Sequence, residues 1–390
     1  MPNTLAQRFE FLTEIEKLRG VNRHNKLLDG TRVENSAEHS WHLALYALVL
    51  QNHAPAGVDI QRVIQMLLLH DVVEIDVGDH PIHEAVDWDA VARAEEAAAA
   101  RIFDLLPAEQ ASTLSALWHE FEGNATPDAQ FAKALDRAQP LFQTLCNPSP
   151  AQDHVAICRE NIETGRAAVL ERHLPSAYSY LRRILDGDLS GFQDANFTAQ
   201  IAFLNEADQL KSILRASKLA DGSRYENSAE HSWHILMFAW ILASYAHQAV
   251  DLQKVLTMLI LHDLVEIDAG DAPIHGVVSA EALAKVEAEE QAAADRIFGL
   301  LPEKQGQNLR AIWEEFEASE TPEAIYAKSI DRVQPVLLNL ANGGGSWVDY
   351  DVSLDQIDTR VGAKVRRGAG TVWDHVRPMV ADWFAANGRA

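Results

Sequence analysis

Cysteine, long apolar runs and positive charge are all scarce in this sequence. Its 390 residues contain two cysteines, Cys146 and Cys158, which are too few for a disulfide framework and do not form a Cys-x-x-Cys pair. No stretch approaches the roughly 20 uncharged apolar residues of a membrane helix. Met1–Gly20 carries charges throughout and lacks the apolar core of a signal peptide. These absences favour a soluble protein in a reducing, cytoplasmic setting.

The charge balance narrows the class of partner. Lys and Arg number 33 against 57 Asp and Glu, a net charge of -24. Nucleic acid polymers and anionic membranes are bound through an excess of basic residues, so both are poor partners. A small phosphorylated substrate is still compatible, because a metal ion and one arginine can reverse the field locally. Ala, Leu and Glu are abundant and no strand pattern stands out, so we predict an all-α fold.

A long internal repeat decides the architecture. The nine residues Glu34–His42 recur unchanged at Glu226–His234, and Leu67–His83 recurs with few changes at Leu259–His275. The period far exceeds that of solenoid repeats and fits a duplicated domain of ordinary size. We predict two tandem helical bundles, residues 1–190 and 197–390, with a Gly-, Asp- and Ser-rich linker at about 185–196. We further expect the halves to pack as an internal pseudo-dimer.

Helix start signals precede the chemistry-bearing residues of each half. Asn35 is a good N-cap for the helix that carries His39. Asp59 caps a second, strongly apolar helix that runs to about Glu74, where Gly78 opens a loop. Thr126 followed by proline predicts the start of the helix that carries Asp136.

Histidines and aspartates on these three helices form a candidate metal site in each half. Ligands from different helices can converge in the core of a bundle. Two imidazoles and two carboxylates suit Mn²⁺, Co²⁺, Fe²⁺, Ni²⁺ or Zn²⁺ better than Mg²⁺, and we predict one ion per half. Such an ion leaves positions for water and a phosphate oxygen. The candidate ligands are His39, His70, Asp71 and Asp136, and then His231, His262, Asp263 and Asp331.

Further acids and arginines would complete a phosphate-processing site. Glu74 follows His70 by one helical turn, so it shares that face and could take a proton from water, and Asp79 could orient the water or protonate the leaving group. Arginine forks suit phosphate oxygens. The candidate catalytic acids are Glu74, Asp79, Glu266 and Asp271, and the candidate substrate-binding arginines are Arg23, Arg32, Arg215 and Arg224.

Structural roles compete with several of these assignments. A single His-Asp pair is weak evidence, and an isolated His39 would more often be a capping or core residue. Arg32 beside Glu34 is equally compatible with a surface ion pair. His83 and His275 are possible supporting groups near the ligands. The repetition of all the ligand types in the same order favours the metal site over chance.

These motifs resemble a known family. Glu-Asn-x-x-Glu-His-Ser, followed by His-Asp-x-x-Glu-x-x-x-Gly-Asp and a distant Asp, is similar to the HD-domain metal-dependent phosphohydrolases, within them to the 5'-deoxynucleotidase branch. The resemblance implies an all-α bundle and the metal ligands and catalytic acids named above. It also implies that Arg23 and its counterpart bind the phosphate. In that branch an aromatic residue follows this arginine, whereas His24 and Ala216 follow it here, which leaves the sugar preference open.

The function expected from the resemblance is removal of the 5'-phosphate from (deoxy)nucleoside monophosphates, with one site in each half. A triphosphohydrolase or nucleotide phosphodiesterase of the same superfamily is the alternative, although a polyphosphate tail would need more basic groups than these loops display. A metal-binding regulatory protein with one or both sites non-catalytic is the alternative from another class.

Overall fold

The computed structural model describes residues 4–80, 86–271 and 279–389. Helices dominate these ranges, which confirms the all-α class, and the strands they contain are confined to two short antiparallel hairpins. None of the helices in the described ranges combines the length and apolar character that crossing a membrane requires.

The described residues between 4 and 209 form eleven α-helices and one hairpin. Short 3₁₀ turns extend several of the helices, among them Glu16–Gly20, His70–Val73 and Asp208–Ser212. The elements are α1 Thr4–Ile15, β1 Asn22–Lys26, β2 Val33–Asn35, α2 Ser36–Val49, α3 Ile60–Leu69, α4 Glu74–Val77, α5 Trp88–Phe103, α6 Ala108–Gly123, α7 Pro127–Leu145, α8 Gln152–Glu163, α9 Leu170–His173, α10 Pro175–Asp186 and α11 Ala195–Ala207.

The described residues from 210 onwards repeat the order from β1 to α7, as far as the helix Pro322–Ala341, and then depart from it. A π-helical turn, Asp358–Gly362, leads into its last helix. The elements are β3 Leu214–Lys218, β4 Tyr225–Asn227, α12 Ser228–Ile241, α13 Leu252–Leu261, α14 Glu266–Ala269, α15 Ala280–Phe298, α16 Glu303–Ala318, α17 Pro322–Ala341, α18 Gly345–Asp349, α19 Leu354–Ile357 and α20 Ala363–Ala386.

The hairpins occupy polar stretches that the sequence does not identify as strands. Asn22 pairs with Asn35 and Lys26 with Val33 across the first hairpin. Gly30 has a φ of +74° in the connecting turn, a conformation that favours glycine. Strand β1 alternates between exposed and half-buried polar residues, so it lacks the apolar alternation by which a strand is recognised. This strand fixes the position of Arg23.

Helices α2, α3 and α7 pack against one another. Candidate ligands of the first half lie on α2, on α7 and in the 3₁₀ turn that follows α3. Every residue of α2 is buried, and the helix begins with a complete capping box between Asn35 and Glu38, which satisfies two backbone donors reciprocally. Helices α12, α13 and α17 pack in the same way in the second half. The predicted caps at Asp59 and Thr126 are also present. The bundle core therefore holds the ligand-bearing segments together.

The opening helix of each half belongs to the compact unit of the other half. One unit consists of residues 17–209 with 300–302, and the other of residues 1–16, 210–299 and 303–390. In the first unit His42 donates a hydrogen bond from Nε2 to the carbonyl of Leu204 in α11 (3.0 Å), and in the second His234 donates to Leu12 in α1 (2.9 Å). The boundaries at 190 and 197 stay a prediction, whereas the units divide the chain near residues 16 and 209.

Replacing Leu204 by alanine tests the contribution of α11 to the first unit. Leu204 is fully buried, and truncating such a side chain removes about 2–5 kcal/mol of unfolding free energy. We expect this loss in chemical denaturation of the full chain. Leu189→Ala, at a side chain that is 42% exposed, is the matched control and should change the free energy by less than about 0.5 kcal/mol. Equal effects of the two substitutions would contradict the assignment of α11 to this unit.

Candidate metal and phosphate sites

Three candidate ligands of the first half converge in the bundle core. His39 comes from α2, His70 from the 3₁₀ turn after α3 and Asp136 from α7, and their ligand atoms all lie within 4.8 Å of one another. Asp136 Oδ1 lies 3.2 Å from Nε2 of His39 and 3.8 Å from Nε2 of His70. The second half gathers His231, His262 and Asp331 in the same way.

The fourth candidate ligand, Asp71, contacts this cluster through His70. Its Oδ1 lies 2.9 Å from Nε2 of His70, and its Oδ2 accepts a hydrogen bond from Nη1 of Arg23 at 2.7 Å. Asp263 makes the equivalent contacts with His262 at 3.0 Å and Arg215 at 2.6 Å. Each unit therefore brings its four sequence-predicted ligands together.

The hydrogen bonds of His70 and His262 involve Nδ1 and leave Nε2 available to bind a metal ion. His70 donates from Nδ1 to the carbonyl of Leu67 (2.8 Å), and His262 donates to Leu259 (2.9 Å). In each ring Nε2 then carries the lone pair, and both Nε2 atoms are buried with no hydrogen-bond partner among the described residues. A buried electron-pair donor facing two carboxylates is satisfied by a cation, so these residues fit a divalent ion.

His39 is oriented by acceptors behind its ring. Its Nδ1 lies 3.1 Å from Oε1 of Gln139 and 3.3 Å from Oε2 of Glu34. A nitrogen between two acceptors carries the proton, so Nε2 is directed at Asp136. Gln139 in turn donates to Glu34 at 3.0 Å. Such partners behind a ligating histidine fix its tautomer and orientation.

Glu34 and Gln139 are functional candidates that the sequence analysis missed. Their counterparts, Glu226 and Gln334, flank His231 in the same manner. Glu34 lies inside the nine-residue stretch that the two halves share without change. That identity, together with the recurrence of a glutamine after the distal aspartate, was the available signal.

The electrostatics of the cluster favour bound positive charge. Burial opposes the ionisation of Asp136, but its contacts with His39, His70 and Arg23 together outweigh burial and hold the pKa of Asp136 well below its usual range. Burial likewise opposes the ionisation of Asp71, and its contacts with His70 and Arg23 lower its pKa. The carboxylates are therefore ionised and available as ligands at neutral pH.

The candidate acids lie beside this cluster. Glu74 begins α4 and accepts a hydrogen bond from the hydroxyl of Ser36 at 2.6 Å, and burial and the charge of Asp71 raise its pKa well above the usual value. Asp79 lies 3.8 Å from Nη1 of Arg23. A carboxyl with a raised pKa beside a metal cluster is suited to proton transfer.

The second half repeats this arrangement of acids. Glu266 accepts from Ser228 at 2.5 Å, and burial and the charge of Asp263 raise its pKa well above the usual value. Asp271 lies 3.9 Å from Arg215. Both halves therefore place a half-buried glutamate with a raised pKa beside the ligand aspartate.

The two candidate substrate-binding arginines of each half lie in different surroundings. Arg23 points into the cluster, where it faces Asp71 and Asp79. Arg32 instead forms a two-point contact with Glu38, the capping glutamate of α2, at 2.6 and 2.9 Å. Arg224 makes the same contact with Glu230. The structure therefore brings Arg23 and Arg215 to the clusters and directs Arg32 and Arg224 to the helix caps. His83 and His275 lie outside the described residues.

The cavities next to the two clusters differ in size. The first has a volume of about 260 Å³ and is lined by Arg23, Asp79 and Asp136, with His154 and Cys158 at its far side. The second, beside Arg215 and Asp271, has a volume of about 40 Å³, which is room for a few water molecules. Its lining includes the large apolar side chains listed here: Trp347, Ile357 and Val361.

A family model described as HD domain matches residues 15–177 and again residues 207–373. The chain belongs to the HD-domain family. The two matches also confirm the predicted tandem duplication.

Relatives of these HD domains are described as nucleotidases and phosphohydrolases. The chain is 28% identical to human 5'-deoxynucleotidase HDDC2 over 135 residues, which is 34% of this chain and 65% of the relative. It is 27% identical to 5'-deoxynucleotidase hdd1 of Schizosaccharomyces pombe, over 34% of this chain and 68% of that protein. The alignment thus spans just under two thirds of the human relative.

A solved structure is also similar to this chain. It is described as a predicted metal-dependent phosphohydrolase from Magnetospirillum magnetotacticum MS-1. The identity is 41% and the TM-score 0.46, with 49% of this chain and 97% of the other covered.

Proposed function

We propose that this HD-domain protein is a metal-dependent phosphohydrolase that removes the 5'-phosphate from (deoxy)nucleoside monophosphates, with a site in each half. The observation that carries the proposal is the convergence of His39, His70, Asp71 and Asp136 on one point beside a cleft that also contains an arginine. The 5'-deoxynucleotidase relatives, at 25–30% identity, support the nucleoside monophosphate as substrate class.

The four ligands would hold one divalent ion in each half. When bound, the ion would acidify a water molecule and neutralise charge on the phosphoryl oxygens. The unshared Nε2 of His70 and the ionised carboxylate of Asp136 supply the donors for it. The buried partners Glu34 and Gln139 keep the His39 ring in the required orientation.

Arg23 would bind the phosphate, and Glu74 and Asp79 would transfer the protons. Arg23 lines the cleft and binds the phosphate oxygens. Glu74 accepts a proton from the attacking water as its oxygen bonds to phosphorus. Asp79, beside Arg23, donates a proton to the 5'-oxygen as the bond from phosphorus to that oxygen breaks. The corresponding residues of the second half are Arg215, Glu266 and Asp271.

The nucleoside would occupy the cleft of the first half. At about 260 Å³ this cleft approaches the ~300 Å³ at the lower end of small-molecule pockets. Asn25 and Asn161 are among its lining residues. Their Nδ2 groups donate to protein acceptors, so their amide oxygens are the atoms that would accept hydrogen bonds from a base or sugar. The second cavity is too small for a nucleoside in the described conformation, so hydrolysis of nucleoside monophosphates is assigned chiefly to the first site.

A substrate panel tests the proposed function. The purified full chain, loaded with Mn²⁺ or Co²⁺, is offered ribo- and deoxyribonucleoside mono-, di- and triphosphates, and released phosphate is measured with the bound metal. We expect release from monophosphates to exceed release from triphosphates by at least about tenfold, and chelator-treated protein to release none.

The other outcomes of this panel are equally decisive. Release of tripolyphosphate or pyrophosphate would favour the triphosphohydrolase alternative. No release from any nucleotide, in protein shown to hold its metal, would contradict hydrolysis and favour a regulatory role.

A further inference from the structure

A further cavity, distinct from the two beside the clusters, lies in the unit of the second half between α17 and α20 and has a volume of about 260 Å³. Its charged lining is almost entirely basic. The cations are Lys328 and Arg332 from α17 and Lys364 and Arg367 from α20, and the acid is Glu317. A concentration of cations of this kind is unexpected in a chain with a net charge of -24.

Only one of these cations is neutralised by a close carboxylate within the cavity. Lys328 donates to Glu317 at 2.8 Å, so that pair contributes little net charge. Arg367 donates to the carbonyl of Ser319, which is a neutral acceptor. Arg332 lies 3.7 Å from Asp331 through Nε, and this buried Nε has no hydrogen-bond partner among the described residues.

The cations also repel one another. The charge of Arg332, followed by burial, lowers the pKa of Lys364 below its usual value. Like charges held around one cavity destabilise the empty state, and an anion between them removes that repulsion. Guanidinium and ammonium groups together bind phosphate oxygens in particular.

The cavity adjoins the second metal cluster through one side chain. Arg332 lines this cavity and also the small one beside Arg215 and Asp271. It directly follows Asp331, a candidate ligand. A group in the basic cavity would therefore lie across Arg332 from the second cluster.

The first half uses the same positions differently. Lys133 pairs with Glu122, as Lys328 does with Glu317, but Arg137 donates to the carbonyl of Arg166 and lines the large cleft. The cations of α20 come from a helix of 24 residues, where the first half has the separate helices α8, α9 and α10. The basic cavity is thus a feature of the second half.

We propose that Arg332, Lys364 and Arg367 form a phosphate-binding site in the second half, separate from the metal cluster. Its occupant is a phosphate group, either free or carried by a substrate whose other phosphate is bound at the cluster. The existence of the site depends on its charge and shape and does not require hydrolysis.

Calorimetric titration of the metal-free full chain with inorganic phosphate tests this site. Without the metal, the arginines at the clusters are paired with Asp71 and Asp263 and the carboxylates there disfavour phosphate, so the saturable binding that remains is expected to report the basic cavity. We expect one phosphate per chain, and the double substitution Lys364→Gln with Arg367→Gln should weaken its binding at least about tenfold, because two charge-assisted contacts are lost.

Arg366→Gln is the matched control. Arg366 lies on the same helix and carries the same charge, but it is directed over the ring of Trp373 (5.7 Å) and does not line the cavity. Its substitution should change phosphate binding by less than about twofold. Absence of saturable binding, or equal weakening by the control and the double variant, would overturn the proposal. Lys364→Gln alone, at an exposed residue, provides a variant that is expected to remain folded.

Kinetics separate the two sources of the phosphate group, and this step rests on the proposed function. Lys364→Gln and Arg367→Gln are introduced together into metal-loaded Asp71→Ala protein, in which the second site is the intact one. The KM values for phosphate esters with one and with two phosphate groups are then compared with those of the Asp71→Ala protein. A KM raised only for the doubly phosphorylated ester identifies the group as part of a substrate. Weaker inhibition by inorganic phosphate, with both KM values unchanged, identifies it as free phosphate.

Discussion

Asp71→Ala is expected to remove most of the hydrolysis of nucleoside 5'-monophosphates, whereas Asp263→Ala should leave most of it. Asp71 contacts both His70 and Arg23, so its loss removes a ligand and leaves the arginine without its nearest carboxylate. Metal ions contribute several kcal/mol to such reactions, which corresponds to about a thousandfold or more in rate. The double variant should retain no activity, because both proposed sites are then disabled.

Metal analysis accompanies these rate measurements. Each single variant should bind one ion fewer per chain than the parent protein, and the double variant should bind none. Asp76→Ala is the matched control, since Asp76 lies in the same segment but pairs with Arg101 at the surface. It should keep its activity and its metal. Full activity of Asp71→Ala on nucleoside monophosphates would contradict the assignment of that substrate to the first half.

The helix starts and the ligand set were predictable because the signals are local. Asn35, Asp59 and Thr126 each accept hydrogen bonds from backbone N–H groups within the next three residues, and such caps can be recognised without tertiary information. The ligand residues were predictable from the internal repeat, since the same residue types recur in the same order and at similar spacing in both halves. His39, His70, Asp71 and Asp136 were selected in this way.

The exchange of α1 and α11 between the compact units was not predictable in the same manner. Leu12 and Leu204 are apolar residues at helical spacing, and such a pattern shows only that a face is buried. It contains no information on whether that face packs on the helix that follows it in the chain or on a copy about half a chain away. The tertiary partner, here His234 or His42, decides between these possibilities.

The direction in which a side chain points was also not predictable from the sequence. The sequence predicted Arg32 as a substrate-binding residue, with a surface pair to Glu34 as the alternative. The hairpin instead turns the guanidinium towards Glu38, and Glu34 lies buried behind His39. The basic cavity was missed for a related reason. The loops near the cluster display few cations, whereas Arg332 and Lys364 come from two distant helices that meet only in the fold. Convergence of this kind depends on packing and not on local pattern.

Glu74→Gln should lower kcat at the first site by about 10²–10⁴-fold while leaving the bound metal in place. Glutamine has the same shape and can still accept the hydrogen bond from Ser36, but it cannot take up a proton. Burial and the charge of Asp71 raise the pKa of Glu74 above its usual value, which makes its carboxylate a stronger base for the proton of the attacking water. The measurement is made in the Asp263→Ala background, so that turnover at the first site is observed alone.

The division between kcat, KM and metal content distinguishes proton transfer from a structural role. If Glu74 only held Ser36 and the start of α2 in place, the substitution would lower the melting temperature or the metal content and would leave the rate per bound metal ion unchanged. Asp76→Gln, at the surface two residues away, controls for a general effect of charge removal on this segment. A kcat within about threefold of the parent, with one metal ion still bound, would show that another group accepts the proton, and the neighbouring Asp79 would then be the first residue to test.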